Sequence, residues 1–305
     1  MKTALFEENV EILRRAVGNW MDRRLVIMTA AQFTAKGKQI DGSAFLKVSD
    51  SLKKSASFFS PLRSIHFPMT GLILTSERMP DDEIARLHRN YELLRTSGLR
   101  SSNFTFIAAF LMEESMEIGR IKAAHDEMKK YHRFLTSYDD YPAATIIAKQ
   151  EGNVEELIAA SEQYYVTLNQ NGFYKGNDLQ FLANMLVMDV GFNKGLVSEV
   201  IFAKDELSRS GLKVKQMHYP SLGVIALSGK IKEAIAYGLE LREQKALKWY
   251  KDMAIAAAAV FVSQEFIDAS PGLTAAIQAM IQAQQATAAA ATAGAVAASS
   301  SSGSS

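Results

Sequence analysis

The sequence predicts an all-α fold, an α-solenoid of stacked helical hairpins with a period of about 37 residues. Three observations predict it. Five similar apolar segments have their anchors at Phe67, Phe104, Tyr141, Leu179 and Tyr219, with spacings of 37, 37, 38 and 40 residues. A longer amphipathic stretch follows each of them. No period-two alternation of the kind a half-buried strand requires stands out along the chain.

The anchors share a local chemistry. FPMTGLIL, YPAATIIA and YPSLGVIAL each place an aromatic before Pro68, Pro142 or Pro220. Proline is tolerated in a first helical turn, where its missing N–H would have no partner. FTFIAAFLM from Phe104 and LQFLANMLVM from Leu179 match without the proline. Four residues after the anchors stand Gly71, Ala108, Thr145, Ala183 and Gly223, all small. A small side chain at a fixed position lets a neighbouring helix approach closely. MAIAAAAVFV, from Met253, is a sixth such segment.

The longer stretches read as second helices. PDDEIARLHRNYELLRT opens with Pro80 and three acids and carries Ile84, Leu87, Tyr91 and Leu94 on one face. In the next clear copy, Asn153 with Glu156 has capping-box spacing. Ile231, Ala234, Ile235 and Leu239 form the inward stripe of another. TSGL, QNGF and RSGL place Gly98, Gly172 and Gly211 where a left-handed residue closes a helix.

These elements divide the chain. Residues 1–62 hold N-terminal helices and a degenerate first repeat: a helix around 4–18, a first helix from Leu25 and a second from Ser43. Residues 63–271 form the repeat array, 272–286 a capping helix with Leu273, Ile277, Met280 and Ile281 on one face, and 287–305 a disordered Ala/Ser-rich tail.

Composition narrows function. The 34 basic and 33 acidic residues leave a net charge of +1, so the whole molecule exerts no pull on nucleic acid or an anionic membrane. A local basic face is not excluded by that balance. There are no cysteines, which removes disulfides and thiolate chemistry and fits a cytoplasmic protein. No signal peptide is read at the N-terminus. The longest apolar run, Met253 to Val262, is too short to span a bilayer, and no membrane contact is expected.

Candidate chemistry is sparse. No HExxH, GxxxxGK[ST], GxGxxG or GxSxG occurs, and neither a metal nor a cofactor is expected. His125 and His132 lie seven apart, too far for one ion without further ligands. Asp139 and Asp140 read as capping residues ahead of Tyr141. Asn184 stands five residues after its anchor, where the other units have Leu72, Ala109, Ile146 and Val224. It either clamps the backbone of a bound peptide or bonds a neighbouring turn. Tyr164 and Tyr165, with Tyr131 and Tyr174, either line a groove or belong to the core.

The stretch YPAATIIAKQEGNVEELIAASEQYYVTLNQNGF resembles the helical hairpins of tetratricopeptide and pentatricopeptide arrays. The period is longer than the tetratricopeptide 34, and no unit carries that family's full signature. The FSPLRS…FPMTGLILTS stretch from Phe59, the repeats after it and the Ala- then Ser-rich end resemble a family of uncharacterised proteins from Bacillus-like bacteria, catalogued as a domain of unknown function. That resemblance implies a bacterial cytosolic protein and transfers no active residues. The architecture points to a non-catalytic module that binds a protein or peptide. RNA binding is the alternative, disfavoured by the apolar residues after each anchor, and an enzyme with a site on the concave face is a third reading.

Overall fold

The computed structural model describes residues 2–18, 21–113, 115–188 and 191–263. Among the described residues are fourteen α-helices and no strand. They are α1 (Lys2–Val17), α2 (Arg23–Ala35), α3 (Gly42–Ser55), α4 (Leu62–Thr75), α5 (Pro80–Thr96), α6 (Asn103–Leu111) and α7 (Ile118–Tyr131), then α8 (Tyr141–Lys149), α9 (Val154–Gln170), α10 (Asn177–Leu186), α11 (Lys194–Arg209), α12 (Tyr219–Ser228), α13 (Ile231–Glu243) and α14 (Met253–Ser263). The expected capping helix at 272–286, the tail at 287–305 and residues 264–271 lie outside the described residues.

The helices fall into two sets. Even-numbered helices are buried on nearly every side: all of α14 and eight of the nine residues of α6 are covered. Odd-numbered helices are amphipathic, as α3 shows by burying only Phe45, Ser49 and Leu52. The even helices therefore form an inner layer and the odd ones an outer layer.

Contacts order the inner layer as a ring. Each even helix packs on the next, from α2 on α4 through α12 on α14, and α14 packs back on α2. This corrects the expected solenoid, which would have two free ends. The closure is specific. Phe6 of α1 meets Phe261 of α14 edge-on, with centroids 6.0 Å apart, and Tyr237 of α13 meets the same ring at 5.4 Å. The Ala246 amide donates to Glu7 Oε1 at 3.3 Å.

The pairing is also corrected. Each outer helix packs most extensively on the inner helix that follows it, α5 on α6, α7 on α8, α9 on α10. The sequence reading paired each short segment with the long one after it. Inner helices begin at residues 23, 62, 103, 141, 177, 219 and 253, so their steps are less even than the anchors suggested.

Tyr141–Pro142 and Tyr219–Pro220 do open α8 and α12. Pro68 does not: α4 begins at Leu62 and carries the proline inside. The anchor tyrosines have a bonding role. The Tyr141 hydroxyl accepts from the Arg100 amide and the Tyr219 hydroxyl from the Tyr174 amide, both at 3.1 Å. Each tyrosine thereby ties its inner helix to a connection of the preceding hairpin.

The small positions are close approaches. A Cβ on Gly71 would lie 2.8 Å from Thr29 Cγ2 and 3.0 Å from Gln32 Oε1 of α2, and one on Gly223 would lie 2.8 Å from Leu182 Cδ1 of α10. The Gly turns behave as expected. Gly98, Gly172 and Gly211 have φ of 99°, 81° and 89°. The amides of Leu99, Phe173 and Leu212 reach back to Leu94, Leu168 and Leu207, and these following apolar side chains are buried, as a Schellman closure requires.

A device that the sequence did not reveal locks the hairpins. A polar side chain of the outer helix bonds the segment that leaves its inner partner. Asn9 donates to Thr34 Oγ1 and the Lys38 carbonyl and accepts from the Ile40 amide. Arg86 donates to the Phe110 and Met112 carbonyls, beside Asn90, which donates to Ala109. Arg120 donates to the Ala148, Gln150 and Gly152 carbonyls. These groups take up acceptors that a helix C-terminus leaves orphaned.

Candidate interaction surface

The two layers give the ring two ends. Connections from an outer to an inner helix gather at one end, as their cross-bonds show: Arg100 with Tyr141, Gln180 with Thr136 at 3.0 Å, Tyr174 with Tyr219, and His218 with the Asp252 carbonyl at 3.0 Å. Connections from inner to outer helices gather at the other. There Arg120 crosses to Gln150 and Gly152, and Lys149 pairs with Glu113.

The residues singled out from the sequence are placed inside this frame. Asn184 is buried and its Oδ1 accepts from the Ser161 hydroxyl of α9 at 2.7 Å. It thus binds within its own hairpin, to a side chain rather than a turn carbonyl. Tyr164 is fully buried, its ring against Phe192 and its hydroxyl accepting from the Asn193 amide at 2.9 Å. Tyr165 is buried against His132, and its hydroxyl accepts from the Gly176 amide at 3.3 Å. The three therefore meet no open face, whereas Tyr131 and Tyr174 are exposed.

His125 bonds the Ser137 carbonyl at 2.8 Å, and His132 pairs with Glu162 at 2.6 Å. Among the described residues, no group of three His, Cys, Asp or Glu side chains is placed to hold a metal. No described helix is long and apolar enough to cross a membrane.

Asp139 and Asp140 close the short 3₁₀ turn Tyr138–Asp140 ahead of α8. Asp140 Oδ2 accepts from the Ser137 amide at 3.0 Å, and the Ser137 hydroxyl bonds Asp139. Burial, then the neighbouring Asp139 charge, pushes the Asp140 carboxyl up to about 7. A raised folded-state value means that the folded protein holds a proton the unfolded chain has released. Stability from this group therefore falls as pH rises from about 4 to about 7. Asp140→Asn, which keeps the acceptor and removes the charge, is expected to stabilise the protein by on the order of 2 kcal/mol at pH 8. The gain should fade towards pH 4, as thermal unfolding across that range would show; a gain independent of pH would contradict it.

Two surface features bear on binding. One is a groove between α9 and α11, lined by Val166, Thr167, Phe192, Val197 and Ile201 with Glu162 and Lys194 at its edge. The other is the outer-to-inner end. Eight aromatic side chains are exposed among the described residues, and seven of them lie in or at these connections. They are Phe58, Phe59, Tyr131, Phe134, Tyr138, Tyr174 and Trp249, with Phe134 99%, Phe59 92% and Trp249 83% exposed. Phe202 is the exception. Of these seven the sequence singled out Tyr131 and Tyr174 as groove candidates; the other five were missed because an aromatic between helices carries no period. The signal emerges once outer and inner helices are told apart.

The helices thus form a closed ring of pairs with aromatic tips at one end and a groove on its outer wall. The chain belongs to the family described as "Protein of unknown function (DUF4003)", which matches residues 12–286. It is 28% identical over 286 residues to "Uncharacterized protein YeaA" of Bacillus subtilis (strain 168), covering 88% of this chain and 86% of that protein. No solved structure matches significantly.

Proposed function

We propose that this chain is a non-catalytic docking protein of the cytoplasm that holds a partner protein in the groove between α9 and α11. The groove carries the reading. Val166 is exposed on an outer helix, and Phe192, Val197 and Ile201 continue the apolar floor between two helices that touch little. Such a trough suits the apolar stripe of an amphipathic helix, with the exposed Lys194 at the edge to set its direction. The use of surfaces between stacked hairpins is also what the likeness to tetratricopeptide arrays suggests. The sequence-derived alternative of RNA binding has no phosphate track in this groove to support it.

The test is photo-cross-linking in the native cell from a reactive residue placed at Val166. A recurrent cross-linked protein, its yield cut about tenfold by Ile201→Glu, is the expected result. Cross-links confined to RNA, or none at all, would remove the reading.

A further inference from the structure

The ring's aromatic end has the chemistry of a face that meets a charged, flat, partly apolar surface. Its seven connections, residues 18–22, 56–61, 97–102, 132–140, 171–176, 210–218 and 244–252, hold eight basic residues against four acidic ones. The inner-to-outer connections hold four basic and five acidic among the described residues. Six of the seven outer helices add a Lys or Arg in their last turn at the aromatic end, such as Lys53 and Lys54 of α3 or Arg209 of α11. Those end cations also complement the helix dipoles. The balanced net charge of the chain thus hides a sorted one.

The aromatic tips sit beside these cations. The Arg63 guanidinium lies over the Phe58 ring at 5.9 Å, and Lys248 Nζ over the Trp249 ring at 5.4 Å. Phe58 and Phe59 meet edge-on at 5.0 Å, and both project from the α3–α4 connection. Lys175 follows Tyr174, and Arg133 precedes Phe134.

We propose that this end of the ring docks on an anionic lipid surface as a peripheral contact. Two observations choose lipid over nucleic acid or an acidic peptide. The tips stand on the connections of different hairpins around the ring, so a plane can touch them together, whereas a strand or peptide needs one continuous track. The most exposed of them, Phe134 and Phe59, are hydrocarbon without a hydrogen-bonding group, suited to the level just below headgroups. The flanking Lys and Arg residues then face lipid phosphates.

The experiment uses the full chain with Trp20→Phe, so that Trp249 alone reports. It is mixed at low salt with vesicles of phosphatidylcholine, with or without phosphatidylglycerol. The expected result is a blue shift of Trp249 emission and co-sedimentation with the anionic vesicles only, both reversed by salt. Phe59→Ser with Phe134→Ser should weaken binding about tenfold and leave helical content unchanged, because both side chains are exposed. Ile201→Glu, in the groove, should leave vesicle binding intact, which separates this face from the proposed protein site. No blue shift with anionic vesicles, full binding by the double variant, or RNA binding lost through the same two substitutions with no vesicle binding would each overturn the proposal.

Discussion

Arg86→Met is expected to cost on the order of 3–5 kcal/mol, the largest single loss the fold predicts outside its apolar core. Arg86 is buried, pairs with buried Glu83, and donates to the carbonyls of Phe110 and Met112 where α6 ends. Methionine matches the length of the stem but strands the Glu83 carboxylate, takes the Arg86 donor from the Phe110 carbonyl and leaves the Met112 carbonyl with Asn90 alone, at 3.3 Å. Arg78, 3.7 Å from Glu83 and half exposed, offers the carboxylate little replacement. Urea unfolding checks the size of the loss. Adding Glu83→Gln should recover part of it, because the second substitution removes the stranded charge. Two losses that simply add would show that the pair acts through separate contacts.

Phe6→Ala should cost about 3–5 kcal/mol, because the ring is fully buried and its removal leaves a cavity at the seam. The expected result is more specific than a loss of stability. Phe6 and Phe261 belong to opposite ends of the described chain and meet edge-on. Hydrogen exchange should therefore rise together in α1, α2, α13 and α14, the helices that meet there, and less in α6 and α8 on the far side. A rise confined to α1 would mean that α14 holds its place without it.

Much of the local structure was legible. Gly98, Gly172 and Gly211 announce helix ends because few other residues adopt that backbone, and Pro80 with three acids announces a helix start. Pro142 and Pro220 work in the same way, whereas Pro68 misleads because a proline is also borne inside α4. The pairing of helices was not legible: inner and outer stretches alternate, and the period is the same whichever neighbour is chosen. Closure was not legible either. It rests on residues such as Glu7 and Ala246, far apart in sequence and without a shared pattern. The hairpin locks escaped because one task falls to Asn9 in one hairpin and to Arg86 or Arg120 in others. Asn184 stood out as a polar exception, and its Oδ1 meets Ser161 while its buried Nδ2 meets no partner among the described residues. Apart from Tyr131 and Tyr174, the aromatic end escaped for the opposite reason, since its residues repeat in kind without repeating at a fixed interval.

The seam between α1 and α14 has a bearing on how the chain is made. Among the described helices α1 is made before all the others and its neighbours include α14, made after them, so Phe6 waits for Phe261 while the residues between them are synthesised. Hairpins can form one after another as they emerge, each from contacts close in sequence. The final join brings together groups 239 and 259 residues apart, Ala246 with Glu7 and Lys2 with Phe261. Until that join is made, the unfinished arc offers two uncovered inner faces, α2 and the newest even helix, which would accept each other from different chains as readily as from one. Premature termination upstream of α14 would thus leave a sticky open arc rather than a shorter, self-sufficient protein.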